Sequence, residues 1–211
     1  MHPSSDTAAF FLPGLVHQFG NLLLTVQGHV LHLDDQDVKR MQDAVLGVVQ
    51  RGSASLQVAR ALLGEQAGAT GLGIELVQQL VDLGRVPARE RGVSLELQGE
   101  DLAEPIWVAS EPFVMAFGEA LRRWIQAVPS GSTGTATVAY EGDGAGGAVV
   151  RLGFVAASGS LPFPLASDEV VRSMADQFDG YGGAAQALTD PGQGIKLHFL
   201  AAKFVTGDHQ Q

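Results

Sequence analysis

Between Leu12 and Leu33 the apolar residues recur at intervals of three and four: Leu12, Leu15, Phe19, Leu22, Val26 and, after a skip at His29, Leu33. That spacing marks one side of an α-helix. Val16, Leu23 and Val30 widen the stripe, which suits a packed helix bundle better than a narrow two-stranded coil. Asp34-Asp35 then offers an N-cap and acidic first-turn residues for a second helix. Its apolar positions are Val38, Met41, Val45, Val48, Gly52, Leu56, Ala59 and Leu63. A hairpin of two such helices cannot cover its own apolar face. Residues 1–64 are therefore expected to form a homodimer in which two hairpins make one four-helix bundle.

Glu65 to Gly73, rich in glycine and alanine, reads as a flexible connector. After it the pattern changes. Ile74 to Arg91 and Glu111 to Val128 have helical spacing, while Val93 to Gln98 and Ile106 to Ala109 read as strands. Thr135 to Tyr140 and Ala148 to Val155 form a strand pair around the turn-forming run Gly142-Asp143-Gly144-Ala145-Gly146-Gly147. Asp168 to Phe178 and Ile195 to Val205 are read as further helices. The chain is thus of the α+β class, a helical hairpin followed by an α/β sandwich over residues 73–211.

Composition narrows the function classes. A formal charge of −10 repels phosphate backbones, so no nucleic-acid partner is expected. The absence of cysteine excludes disulfides and thiolate metal sites and fits a reducing compartment. The first basic residue is Lys39, and the apolar N-terminal stretch is interrupted by Pro13, His17, Gln18, Asn21 and Gln27. Neither a signal peptide nor a membrane span is expected, and the chain reads as cytoplasmic. His29, His32 and Asp34 sit together at a helix end, where solvation rather than a metal site is the expectation. The glycines from Gly142 lack a following helix and a Gly-Lys-Ser/Thr sequence, so they form a hairpin turn and no phosphate loop.

If Leu15 and Phe19 face the core, His17 lies on the opposite, outermost face of its helix. Phe10, Leu24 and Leu31 follow it at spacings of seven and form an apolar surround. An unperturbed imidazole titrates at about pH 6.5, so a neutral, nucleophilic ring nitrogen is available near neutrality. The run His17-Gln18-Phe19-Gly20-Asn21-Leu22-Leu23, with Gly28 beyond it, resembles the phosphoacceptor helix of the histidine kinases. A common variant of that motif reads His-Asp-Phe-Asn-Asn-Leu-Leu, with glycine eleven residues after the histidine. The stretch Glu119-Ala-Leu-Arg-Arg123-Trp124-Ile-Gln-Ala127-Val-Pro-Ser-Gly is similar to the helix of the kinase ATP-binding domain that carries Asn-x-x-x-Asn-Ala before a Pro-x-Gly turn. Gly192-Gln193-Gly194-Ile195-Lys196-Leu197 resembles that domain's final glycine box, which leads into a helix.

The departures from the family pattern matter as much. Arg123 stands at the position of the magnesium-coordinating asparagine, and arginine has no acceptor atom to offer a metal. Trp124 replaces a small alanine, Ala157 replaces the adenine-binding aspartate, and Ser160 follows where a glycine is usual. Gln18 replaces the acidic neighbour of the histidine. The resemblance therefore implies a degenerate ATPase-type domain with no cofactor and no metal. It points to a histidine phosphotransfer protein of a two-component phosphorelay. In that reading His17 accepts and donates the phosphoryl group and Asn21, one turn on, orients the imidazole or a water. Phe10, Gln18, Leu24 and Leu31 would dock a response-regulator receiver domain. The alternative is a non-catalytic pseudokinase adaptor that binds a receiver or a kinase.

Overall fold

The computed structural model describes residues 3–31, 38–65, 70–99, 106–128, 134–142, 148–156, 183–187 and 195–199. Two long helices come first, α1 (Pro3–Leu31) and α2 (Val38–Leu62). They are followed by β1 (Thr70–Leu72), α3 (Gly73–Glu90), β2 (Val93–Gly99), β3 (Trp107–Ala109) and α4 (Ser110–Ala127). The strands β4 (Gly134–Gly142), β5 (Ala148–Ala156), β6 (Gly183–Ala187) and β7 (Ile195–Phe199) complete the order. The chain is α+β, as its patterning implies.

Part of the connector is regular structure. Thr70, Gly71 and Leu72 pair antiparallel with Ala109, Val108 and Trp107 in a small two-stranded sheet. The larger sheet runs β2-β4-β5-β7-β6, with β2 parallel to β4 and the other neighbours antiparallel. The segment Ile195–Phe199, expected to be helical, is a strand instead, paired with both β5 and β6. Ile195, Leu197 and Phe199 alternate with Lys196 and His198, a period of two that belongs to a strand. β6 has the sequence Gly-Ala-Ala-Gln-Ala, poor in strand-forming residues, and no pattern in the sequence announces it. The Asp168–Phe178 segment lies outside the described residues.

α3 ends where Gly92 takes a left-handed φ of 78°. The N–H groups of Arg91 and Gly92 then reach back to the carbonyls of Ala88 and Arg89. Only glycine takes that conformation without a Cβ penalty, so the helix stops there and β2 begins. α4 carries a strongly apolar face, with Phe113, Phe117, Leu121, Trp124 and Ile125 all buried.

The core is continuous across the chain. Phe11 of α1 and Val58, Ala61 and Leu62 of α2 belong to one cluster with Leu80 and Leu83 of α3, Val93 and Leu95 of β2, and the buried face of α4. The broad stripe of α1 is consequently split. Phe11, Gly14 and the half-buried Leu15 and Leu22 face inward, whereas Leu12, Val16, Phe19 and Leu23 remain exposed. The inner half of the stripe is covered by α3 and α4, and the outer half is exposed. By length and hydropathy, Asp6–Gly28 is also apolar enough to cross a membrane. Only 11% of that stretch is buried within the chain, so packing against α3 and α4 accounts for a small part of its apolarity.

Candidate functional site

His17 stands exposed on α1, one helical turn from Asn21. The i, i+4 spacing puts the two side chains on the same strip of helix surface. The Asn21 Nδ2 lies 3.2 Å from His17 Nε2. With the amide nitrogen facing it, Nε2 can accept this hydrogen bond in the tautomer that carries the ring proton on Nδ1. Thr25, the next residue along that strip, donates its hydroxyl to the Asn21 carbonyl at 2.8 Å. The strip is thus a short polar ladder whose outermost member is a ring nitrogen with a lone pair.

The surroundings of His17 are not uniform. Leu24 is exposed, two helical turns along α1 from His17. Phe10 is half-buried, set edge-on to Phe11 with ring centroids 5.0 Å apart, and packs on the core. Gln18 is half-buried, and its Oε1 has no hydrogen-bond partner among the described residues. Leu31 closes α1, and its side chain lies outside the described residues. His17 and Asn21 are therefore brought together on an exposed strip of α1, with Leu24 also exposed two turns from the histidine, while Phe10 and Gln18 are half-buried.

The second constellation is on α4. Glu119 is buried and accepts four hydrogen bonds. Arg122 holds it in a fork, Nε to Oε2 at 2.8 Å and Nη2 to Oε1 at 2.6 Å. Arg123 adds its Nε to Oε1 at 2.6 Å, and the Thr7 hydroxyl of α1 donates to Oε2. Burial by itself would raise the Glu119 carboxyl, but the hydrogen bonds from Arg122, Thr7 and Arg123 outweigh it and hold the group below its ordinary range. Glu119 in turn raises Arg122 above its usual value, against the opposing effect of burial.

This arrangement gives Arg123 a definite employment. At the position where the resemblance calls for a magnesium ligand stands a cation bonded to the neighbouring carboxylate. Trp124 is fully buried and forms part of the core. Ala157, Ser160, Gly192 and Gly194, the other residues of the resemblance to an ATP site, lie outside the described residues, as do His32 and Asp34. Among the described residues no group of three or more histidines and carboxylates could hold a metal ion.

The Thr7–Glu119 contact could not be read from the sequence. The two residues are 112 positions apart, and neither belongs to a motif that names the other. Only the crossing of α1 over α4 brings them together.

No family profile matches the sequence, and no curated protein matches it. Among solved structures, the chain is similar to a histidine kinase from Burkholderia phymatum STM815 at 17% identity and a TM-score of 0.48, over 96% of this chain and 100% of that one. It is also similar to the Acinetobacter baumannii histidine kinase AdeS at 10% identity and a TM-score of 0.48, over 88% of this chain and 98% of that one. A bacterial phosphotransferase matches at 14% identity and a TM-score of 0.40, over 92% of this chain and 95% of that one.

Proposed function

We propose that this chain is a histidine phosphotransfer protein of a two-component phosphorelay, moving phosphoryl groups between receiver aspartates through His17 without using ATP. The observation that carries the reading is the exposed His17 with Nε2 in hydrogen-bond reach of Asn21 Nδ2. In the Nδ1–H tautomer Nε2 is the nucleophile. When a receiver docks, Nε2 exchanges the Asn21 hydrogen bond for the phosphorus atom. The N–P bond forms as the bond from phosphorus to the aspartyl oxygen breaks, and the aspartate leaves as a carboxylate. Little further covalent chemistry is asked of the protein; its contribution is position, while magnesium on the receiver balances the charge.

The α4 network supports the ATP-independent part of the reading. Where magnesium would need an acceptor, Arg123 offers only donors, and its Nε is bonded to Glu119, which Arg122 and Thr7 also hold. Leu24, two turns from the histidine, supplies an apolar contact for the docking receiver. The outer stripes supply the dimer: Leu12, Val16, Phe19 and Leu23 on α1, with Val38, Val49, Leu56 and Leu63 on α2, all exposed. Val45, Gly52 and Ala59 fill the alternate three-and-four positions of the α2 stripe, the seam spacing of a helix bundle. A second copy of the chain is the natural cover for both.

The deciding experiment is incubation with phosphorylated receiver domains, followed by detection of acid-labile label on the chain. His17→Gln should abolish labelling while leaving receiver affinity nearly unchanged, since an exposed side chain contributes typically within about 0.5 kcal/mol to folding. Leu24→Asp should do the reverse, weakening docking without touching the nucleophile. If a receiver binds the parent chain well yet no donor ever labels His17, the chain is an adaptor and the phosphotransfer reading fails.

A further inference from the structure

The residues that join α1 to α3 and α4 have no part in the chemistry of His17, yet they are closely fitted. Phe11 is fully buried in a slot between α3 and α4 whose walls are glycines. A Cβ on Gly84 would lie 3.5 Å from the Phe11 ring, and one on Gly118 would lie 3.4 Å from it. Those are ordinary contact distances to the ring; the tighter approaches would be to Leu95 at 3.2 Å from Gly84 and to Leu62 at 3.2 Å from Gly118, so the glycines leave space for the leucines of the same core cluster. Three residues on, a Cβ at Gly14 would fall 2.0 Å from the carbonyl oxygen of Leu83. Only a glycine lets α1 lie directly on the backbone of α3. One turn before Phe11, Thr7 is buried and donates to Glu119, which Arg122 and Arg123 already grip. A ring in a slot, a backbone contact and a buried charge-assisted hydrogen bond thus fall on successive turns of one helix.

We propose that Thr7, Phe11 and Gly14 form an internal clamp that holds α3 and α4 in one position on the hairpin, so that the second unit cannot swing across His17. The proposal rests on the reading of His17 as the phosphoacceptor. A unit free to pivot about the connector between Leu62 and Gly73 would sweep along α1 and compete with an incoming receiver for the face that carries the imidazole. The three contacts restrain different motions. The Gly14 approach prevents lift, the Phe11 plug prevents sliding along α3, and the Thr7 bond to Glu119 prevents rotation about α1. Together they make the hairpin and α3–α4 a single rigid platform, with the histidine permanently uncovered.

The test measures a distance within the whole chain. Because the chain has no native cysteine, Gln42→Cys on α2 and Glu90→Cys on α3, both exposed, can be spin-labelled cleanly. Diluting the labelled chain with unlabelled chain isolates the intrachain pair. Electron–electron resonance on this protein, with no receiver present, should give one narrow distance distribution. Adding Phe11→Ala should broaden it and introduce longer distances. Thr7→Val, which removes only the hydroxyl, should broaden it with the fold retained by circular dichroism. A broad or two-peaked distribution in the parent would overturn the clamp, as would unchanged distributions in the folded variants. Should Phe11→Ala fail to fold, Thr7→Val decides alone, and an unchanged width overturns the proposal. These distances are independent of whether His17 is ever labelled, so failure of the clamp and failure of the phosphotransfer reading are separate results. Where a receiver does label the parent, a broadened variant should be labelled more slowly; equal rates would overturn the functional half of the proposal.

Discussion

Gly14 shows how one missing side chain can govern a helix crossing. It follows Pro13, which supplies no N–H, so one hydrogen bond is already absent from that turn of α1. The helix nevertheless continues, because Phe11 and Gly14 bind that turn to α3. Gly14→Ala places a methyl group against the carbonyl oxygen of Leu83, a backbone atom that no rotamer change can move aside. The expected cost is about 1–3 kcal/mol from overpacking, even though alanine is the better helix former. A thermal melt should therefore show a midpoint several degrees below that of the parent; an equal or higher midpoint would mean the crossing is looser than described. Asn21 works at the same scale but through polarity. Its hydrogen bond orients the resting imidazole but is given up before Nε2 attacks, so Asn21→Ala should speed labelling, by up to about tenfold for a hydrogen bond of about 1.4 kcal/mol, with receiver affinity unchanged. A labelling rate equal to the parent's would remove Asn21 from the mechanism.

At the scale of elements, the interface of α1 with α4 depends on the ionised Glu119. Its carboxyl is held below the ordinary range in the folded chain, since the bonds from Arg122, Thr7 and Arg123 overcome the opposing effect of burial. In the unfolded chain the group returns to a value of about 4.3. Between the folded and unfolded values the unfolded chain binds more protons, so stability rises with pH across that window. The contribution is fully present above about pH 4.3 and is lost as pH falls through the folded value. Glu119→Gln keeps the shape and removes the charge. The stability gap between parent and variant, read from urea midpoints, should be widest near neutrality and should shrink below about pH 4. A gap independent of pH would mean that Glu119 contributes through packing alone.

For the whole molecule, the open question is what covers the outer stripes of the hairpin. Leu12, Val16, Phe19 and Leu23 of α1 and Leu56 and Leu63 of α2 are all exposed large apolar side chains, and apolar surface of this kind, where it is contiguous, marks an interaction site. Leu56→Asp puts a charge into that seam without touching the cluster that holds α1 to α3 and α4. Light scattering should find the parent as a dimer and the variant as a folded monomer, because an unpaired charge buried in the interface costs several kcal/mol. A monomeric parent at micromolar concentration would end the dimer reading. Magnesium-ATP belongs to this scale as well, since Arg123, bonded to Glu119, offers magnesium no acceptor. Calorimetry should register no saturable, magnesium-dependent heat, and such a heat at micromolar ATP would restore the kinase reading.

Local patterning by itself determined a good deal about this protein. The three-and-four spacing defined α1 and α2, period-two alternation defined β2, β4 and β5, and the apolar face of α4 marked it as a core helix. His17 is exposed as expected, but the expectation took both Leu15 and Phe19 as core-facing, and only Leu15 turns inward. What the sequence could not decide was which apolar surfaces meet. One wide stripe on α1 became an inner half for α3 and α4 and an outer half left open, and Phe19 fell on the open side at 38% exposure. Ile195–Phe199 became a strand because β5 and β6 offered it hydrogen-bonding partners on both sides, a benefit invisible within five residues. Glu119 and Arg123 read as a damaged nucleotide site until Thr7 arrived from 112 residues away to complete their network. Spacing encodes which face of an element is apolar; the partner of that face is chosen by the packing of the whole chain, in which distant residues compete for the same surface.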